Sequence, residues 1–445
     1  METPRLEEVR LHSFKSFTGQ SLPLQDLTVL IGRNGSGKSN ALDALLVLSR
    51  LASGESVRDA LDGPRGGGEE PIRGGAEGCA PLGATWFQLG CRVRSGEEVF
   101  DLDVEIEVSP DVRIVEEILT SVTGVRYGQR RLGQRTLMSG NSEFAGPGDL
   151  SLRHFTGRTS PGPIIRASAD RLLTSQVPVL VPATSEAARV VHRGAQAVIA
   201  ALREVFLLDP VPHLMRQYVS ARDSELRRNG DNLSAVVASL RTTDPVAFDR
   251  LTELVAGMPE YPIRRISSVG TELGDVQLVL REAGYHRTEH DVPARLLSDG
   301  MLRFLACGTA LLSAPVADGA DEHGSAQRHL VIEEIENGLY PTQAARVLRL
   351  MKEESERRRV DVLFTTHSPA LLNSLTAQDH SGVIVCSRDP ESGESRLTRL
   401  TELPGYVDLL AAGDLGDAVT KGRLPDAVRP RNTEVAGVED FLRSL

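Results

Sequence analysis

"TVLIGRNGSGKSNALDALL", residues 28–46, is the stretch on which the fold turns. An apolar run ends at Ile31, glycines fall at Gly32, Gly35 and Gly37, and Lys38-Ser39 opens a run of helix formers. The spacing matches G-x-x-x-x-G-K-[ST], and each residue type in it has a physical reason. Glycines let successive backbone N–H groups curl around phosphate oxygens, and the helix that follows aims its positive end at them. Lys38 is placed to reach the β- and γ-phosphates, and the Ser39 hydroxyl to ligate Mg²⁺. The nucleotide-binding segment is then Gly32, Arg33, Asn34, Gly35, Ser36, Gly37, Lys38, Ser39 and Asn40, with ATP and Mg²⁺ as its ligands. A plain glycine turn ahead of a helix is the competing reading. The apolar strand before the loop and the helix after it favour the phosphate loop.

A second stretch, "HLVIEEIENGLYP" (329–341), runs apolar and then sets Glu333, Glu334 and Glu336 within four positions. Uncompensated carboxylates are costly beside an interior strand. In phosphate-loop enzymes an acid at the end of a neighbouring strand holds the magnesium. Glu333 takes that place, and Glu334 orients and polarises the attacking water. Solvated acids at a strand end are the alternative when the stretch is read by itself. Two shorter stretches are weak alone. "LLSDGMLRF" (296–304) is a turn that caps a helix, with Ser298 suited to the N-cap. "LFTTHSP" (363–369) ends a buried strand at His367, where a hydrogen-bonded structural histidine is the ordinary reading.

Composition sets the frame for these motifs. The 445 residues are enough for two or three domain-sized units, 40% are apolar and 25% charged, and both values are those of an ordinary globular chain. No apolar run approaches the roughly 20 residues that span a bilayer, and METPRLEEVR lacks the layout of a secretory signal. Cys79, Cys91, Cys307 and Cys386 are scattered with no C-x-x-C pair, which predicts buried, reduced thiols in a cytoplasmic setting, away from any membrane. A formal charge of -11 argues against whole-surface attraction to nucleic acid and leaves a local basic groove open. "VRYGQRRLGQR" (125–135) gathers Arg126, Arg130, Arg131 and Arg135 without an acid. It reads equally as a phosphate-contacting stretch and as an exposed hairpin with a solvated face.

Hydrophobic period organises the rest. Alternation of period two from "ATWFQLGCRV" through "VRIVEEIL" predicts an antiparallel lobe. "DGPRGGGEEPIRGGAEG" (62–78) reads as a glycine-rich linker with no chemistry to perform. Residues 136–180 read as irregular, with "VPVLVPA" as strand or loop, and 183–257 as helical, including "SEAARVVHRGAQAVIAALREVF". Strand, helix and strand then alternate through "DVQLVLRE", "SDGMLRFLACGTALLSA", "HLVI", "PTQAARVLRLMKEESERRR" and "VDVLFTT". The expected organisation is an α/β chain with a mainly parallel core. Residues 1–135 form the first half of the core and the lobe, 136–270 an irregular and helical insertion, 271–403 the second half, and 404–445 a tail.

Phosphate loop, LSxG turn, strand with two acids and strand ending in TTH occur in that order, and the order resembles ABC-type P-loop NTPases. More narrowly, "LHSFKSF", "IGRNGSGKSN", "LLSDGMLRFL", "LVIEEIENGLYP" and "VLFTTHSPALL" resemble the RecF/SMC-like branch, in the subgroup of RecF-like AAA-type ATPases. The likeness spans both ends of residues 1 to about 400, with a loose match around "NGDNLSAVV" between. It implies an ABC-type ATPase head with an antiparallel β lobe and a helical insertion, a homodimer that sandwiches two nucleotides, and hydrolysis that opens it. Ser298, Asp299 and Gly300 then contact the γ-phosphate held by a second protomer, and His367 contacts the same phosphate as Glu334. Catalysis falls to Glu334, His367 and Lys38, and the metal to Ser39, Glu333 and a lobe glutamine, for which Gln88 in "TWFQLG" is the candidate. Two positions depart from the family's pattern. Ile335 replaces a proline, which is expected to relax the turn after Glu334, and Tyr340 replaces a histidine.

The expected activity is Mg²⁺-dependent ATP hydrolysis driving a switch in DNA repair, DNA maintenance or anti-phage defence, with DNA and a nuclease or toxin protein as candidate partners. An ATP-binding subunit that regulates such a nuclease or toxin with little turnover is the alternative. A membrane-transporter motor is disfavoured, because the signature reads LLSDG rather than LSGGQ. A built-in nuclease is disfavoured too, because Asp408, Asp414 and Asp417 lack a strand-borne acid cluster.

Overall fold

The computed structural model describes residues 3–64, 70–124, 126–127, 130–131, 133–143, 145–146, 148–157, 162–257, 263–283, 288–313, 327–336, 341–411, 413–421 and 423. Its frame is a fourteen-stranded sheet. Five strands at one end are parallel, in the spatial order Val205–Leu208, His329–Ile332, Asp361–Thr366, Leu27–Ile31 and Val383–Arg388. Their side chains divide between two cores. Leu30, Val331, Leu363 and Ile384 face one core, and Val29, Ile31, Leu330, Ile332, Val362, Phe364, Val383 and Val385 face the other. Burial on both faces is why these strands read as continuous apolar runs rather than alternating ones.

The phosphate-loop helix, Lys38–Ala52, lies in the first core with every residue from Ala41 to Ala52 buried. That is the outcome expected of a helix with almost no polar face. Helices Leu233–Thr243, Pro245–Ala256, Asp299–Leu312 and Pro341–Arg358 cover the other face. Strand Ser395–Arg399 runs antiparallel to Val383–Arg388 and hands the sheet on through one pair, Phe17 with Ser395. Beyond it the lobe is antiparallel: Phe17–Pro23, Arg5–Phe14, Trp86–Ser95, Glu98–Glu107, Arg113–Ser121, Arg135–Asn141, Asp149–His154 and Ile165–Ser168. Helix Glu186–Arg203 packs on this lobe, and Gly194 passes where a Cβ would meet Leu137 and Phe100.

Three expectations need correction. Residues 136–180 are not irregular, since they carry three strands of the lobe and helix Leu173–Leu180, which takes in most of "VPVLVPA". The strands there are four to seven residues long and separated by Gly, Ser and Pro, too short for a period to show. The helix drawn through "ALREVF" stops at Arg203, and Val205–Leu208 is the edge strand of the parallel core. Four contiguous apolar residues fit a buried strand and a helix end alike. The segment expected as an insertion thus supplies four strands to the main sheet. Arg126–Tyr127 pairs with Arg130–Arg131 as an antiparallel hairpin.

Candidate active site

Parallel register brings the strand ends level. Because Asp361–Thr366 lies between the phosphate-loop strand and the acidic strand, His367 emerges between Lys38 and Glu333. The loop is held in a backbone only glycine adopts easily. Gly37 has φ 113°, and a Cβ there would run into Ser395 and Phe17. Cys386 backs the loop, its Sγ donating to the Ser36 carbonyl at 3.2 Å. Lys38 is buried, and its Nζ donates to the carbonyls of Gly32 (2.9 Å) and Arg33 (3.2 Å). Burial lowers the lysine's pKa, while Cys386, Glu334, Glu333 and Glu336 pull it back up.

Opposite the lysine, the Ser39 hydroxyl donates to Glu333 Oε1 at 2.5 Å. The next residue, Glu334, has φ 49°, a left-handed conformation rare outside glycine. Two bonds to one residue hold it there: the Glu334 amide donates to Thr365 Oγ1 (2.8 Å) and the Ile335 amide to the Thr365 carbonyl (3.3 Å). A proline at 335 could not donate, and it would disfavour the helical basins for Glu334. Ile335 therefore fastens this turn rather than relaxing it. Glu334 Oε1 lies 4.0 Å from His367 Nε2, and the His367 amide donates to Glu336. Burial, then the charge of Lys38, lowers the His367 pKa, so the imidazole is neutral at neutral pH. Tyr340 lies outside the described residues.

Two charged residues beside Glu333 escaped the reading of the sequence. Arg73, in the stretch taken for a linker, forms an ion pair with Glu333. Burial lowers its pKa, but Asp43 and Glu333 outweigh burial and leave it raised. Its carbonyl accepts from Lys15 Nζ at 2.7 Å, and the same ammonium pairs with Asp43 of the phosphate-loop helix at 2.7 Å. The only signal was chemical, an arginine ahead of Gly74-Gly75, and Arg65 ahead of Gly66 carries the same one. Asp209 follows the edge strand, and since Leu208 pairs with Ile332 it stands level with Glu333. Burial and then the Glu333 charge raise its pKa, against Arg228, Arg73 and Arg303.

The remaining candidates sit apart from this cluster. Ser298 is exposed and caps helix Asp299–Leu312, accepting from the Met301 amide at 3.2 Å, while Asp299 pairs with Arg216 at 2.6 Å. Gly300 is buried in the first turn. Among the described residues no hydrogen bond or ion pair joins these three to the phosphate loop. Gln88 lies opposite Ser13 and Glu105 in the lobe, and no hydrogen bond among the described residues joins it to Ser39 or Glu333. Asn40 turns its side chain to Ser16 Oγ at 2.9 Å, whereas Arg33, Asn34 and Gly35 are exposed at the loop's tip.

A family model described as "AAA domain, putative AbiEii toxin, Type IV TA system" matches residues 27–373. The chain belongs to this family. It is an ATP-hydrolysing P-loop enzyme. A 55-residue segment, 12% of the chain, is 51% identical to the chromosome partition protein Smc of Synechococcus sp., and spans 5% of that protein's length. Three solved structures are similar over most of the chain at low identity. The Smc head bound to the C-winged helix domain of ScpA has TM-score 0.48 and 13% identity, covering 88% of this chain and 97% of that one. The SMC head domain from Thermotoga maritima has TM-score 0.40 and 14% identity, covering 89% and 98%. The Pyrococcus furiosus Smc head with an extended coiled coil, bound to the C-terminal domain of ScpA, has TM-score 0.42 and 14% identity, covering 92% and 99%.

In this AAA-domain member the donor set suits magnesium. Ser39 Oγ and Glu333 Oε1 are hard oxygen donors already in contact, and no group of three or more His, Cys, Asp or Glu among the described residues forms a metal cage by itself. Magnesium is ordinarily bound by one or two protein oxygens together with substrate phosphates, which is what this site can offer. No helix among the described residues is long and apolar enough to cross a membrane.

Proposed function

We propose that the chain is a Mg²⁺-dependent ATPase whose heads dimerise on ATP, and that it works as a switch in DNA maintenance or anti-phage defence. The observation that carries the reading is the meeting of Ser39 with Glu333 beside Lys38, with Glu334 and His367 4.0 Å apart next to them. Lys38 exchanges the carbonyls of Gly32 and Arg33 for phosphate oxygens, and the loop amides cradle the rest. Magnesium, when bound, would supply positive charge that offsets the phosphate charge. Ser39 and Glu333 would hold it. Glu334 accepts the proton of the attacking water, and the neutral His367 contacts the γ-phosphate side. Ser298, exposed at a helix N-terminus with Gly300 buried in the turn behind it, and apart from its own loop, is available to a partner's nucleotide.

The DNA half of the proposal draws on the 55-residue match to a chromosome partition protein, and the defence half on the family's toxin–antitoxin description. A nuclease or toxin protein as partner rests on that description alone. The four free, buried thiols support a cytoplasmic setting. Nucleotide binding and turnover test the site. Lys38→Ala is expected to weaken ATP binding tenfold or more, the worth of hydrogen bonds from a charged group. Glu334→Gln is expected to bind ATP normally while turnover falls by roughly a hundredfold or more, as for loss of a general base. Unchanged turnover in Glu334→Gln would remove Glu334 from the mechanism.

A further inference from the structure

Segment 70–80, read from its glycines as slack chain, is pinned at several points. The Ile72 amide donates to Leu61 (2.9 Å), the Ala76 amide to Asp62 Oδ1 (2.8 Å) and the Gly78 amide to Gly74 (3.1 Å), and Ile72 is buried. Lys15 ties it to the active site from the other side. Its amide donates to the Cys79 carbonyl at 2.9 Å and its ammonium to the Arg73 carbonyl at 2.7 Å. Gly74 and Gly75, at φ 87° and 61°, give the turn that a side chain would strain. With the backbone fixed, the Arg73 side chain is the part free to move, and it reaches Glu333 from the solvent side, 42% exposed against 15% for the glutamate.

Both Glu333 oxygens are engaged in this state, Oε1 by the Ser39 hydroxyl and Oε2 by the Arg73 guanidinium. A metal that uses Glu333 must compete with that guanidinium. One strand over, Asp209 stands level with Glu333 and interacts electrostatically with Arg73. From this juxtaposition we infer that Arg73 is a positioning residue with two seats: paired with Glu333 when the metal is absent, and moved onto Asp209 when Mg²⁺–ATP takes Glu333. The inference rests on the reading of Glu333 as the metal acid. Without Arg73 the metal has no competitor. Without Asp209 the displaced guanidinium is left with Asp43, a carboxylate that Lys15 already occupies at 2.7 Å, and it holds Glu333 more tightly.

The two residues therefore act in opposite directions, which a merely structural role for both would not produce. Binding of a fluorescent ATP analogue to the full chain, titrated with Mg²⁺, reads this without turnover. Arg73→Ala is expected to lower the Mg²⁺ concentration for half-maximal binding roughly fivefold, the worth of a part-exposed ion pair. Asp209→Asn is expected to raise it by a similar factor, and Asp209→Glu to restore it. In the double variant the effect of Asp209→Asn should shrink, because nothing remains to be received. Thermal melts of each variant report folding. A rise in the Mg²⁺ requirement in Arg73→Ala, or weaker nucleotide binding in that variant with metal absent, overturns the inference and makes Arg73 a phosphate contact. Glu333→Gln separates the two levels. If it leaves the Mg²⁺ dependence unchanged, the metal assignment itself fails, whereas a loss of Mg²⁺ dependence there with a neutral Arg73→Ala sinks only the two-seat inference.

Discussion

Glu334 holds its left-handed backbone because Thr365 receives two consecutive amides, and Ile335 supplies one of them. Ile335→Pro should therefore not restore a family pattern harmlessly. It removes the bond to Thr365 and presses Glu334 out of its conformation, with a cost on the order of 2 kcal/mol. Urea unfolding would show the lowered midpoint, and steady-state assays a several-fold drop in kcat; an unaltered midpoint would mean that the turn is set elsewhere. At this scale the sequence was legible wherever a residue's placement follows from local spacing. The meeting of Lys38 and Ser39 with Glu333 and Glu334 follows from the loop's spacing and from the acids' place at a strand end. Arg73 and Asp209 were not legible, because they reach Glu333 only when distant segments meet. A linker-like composition says nothing of Lys15, some sixty residues away, pinning it in place.

Among the elements, the lobe shows what local pattern conceals. Strand Arg113–Ser121 buries Glu117 completely, and its carboxylate accepts the amides of Leu173 (2.6 Å) and Thr174 (2.7 Å) and the Thr174 hydroxyl (2.5 Å). It thereby caps helix Leu173–Leu180 from another element, in a stretch whose own residues offer no capping side chain. Burial pushes the Glu117 pKa up to about 7, against the pull of those three donors. The sign follows: the folded state binds this proton more tightly than the unfolded one. Its contribution is full below the ordinary carboxyl range and is lost as pH rises through about 7. The slope is worth about 3 kcal/mol over that span at ~1.4 kcal/mol per unit. Glu117→Gln should lose this part of the pH dependence of stability while being less stable at low pH, since an amide nitrogen now faces donors. Parallel slopes for the two proteins in chemical denaturation from pH 5 to 8 would show that Glu117 carries no such linkage. Long periodic elements such as Pro341–Arg358 were readable, whereas strands of four to seven residues such as Val205–Leu208 needed their sheet partners to declare them.

At the scale of the whole molecule, the signature turn and the phosphate loop sit on different elements with no bond between them among the described residues, and Ser298 is exposed. In the proposed dimer a second copy makes use of both. Ser298→Arg is expected to block dimerisation and to leave the nucleotide affinity of the single head unchanged, and a loss of affinity would point to a misfolded helix instead. With a net charge of -11, any nucleic-acid contact must be local, so DNA-stimulated turnover, if present, should fall steeply with salt. The most direct measurement is the mass in solution of Glu334→Gln with ATP and Mg²⁺, by size-exclusion chromatography with light scattering. A stable dimer that returns to monomer when the nucleotide is removed is the expected result. A monomer at saturating ATP and Mg²⁺ would contradict the claim that nucleotide clamps two heads together.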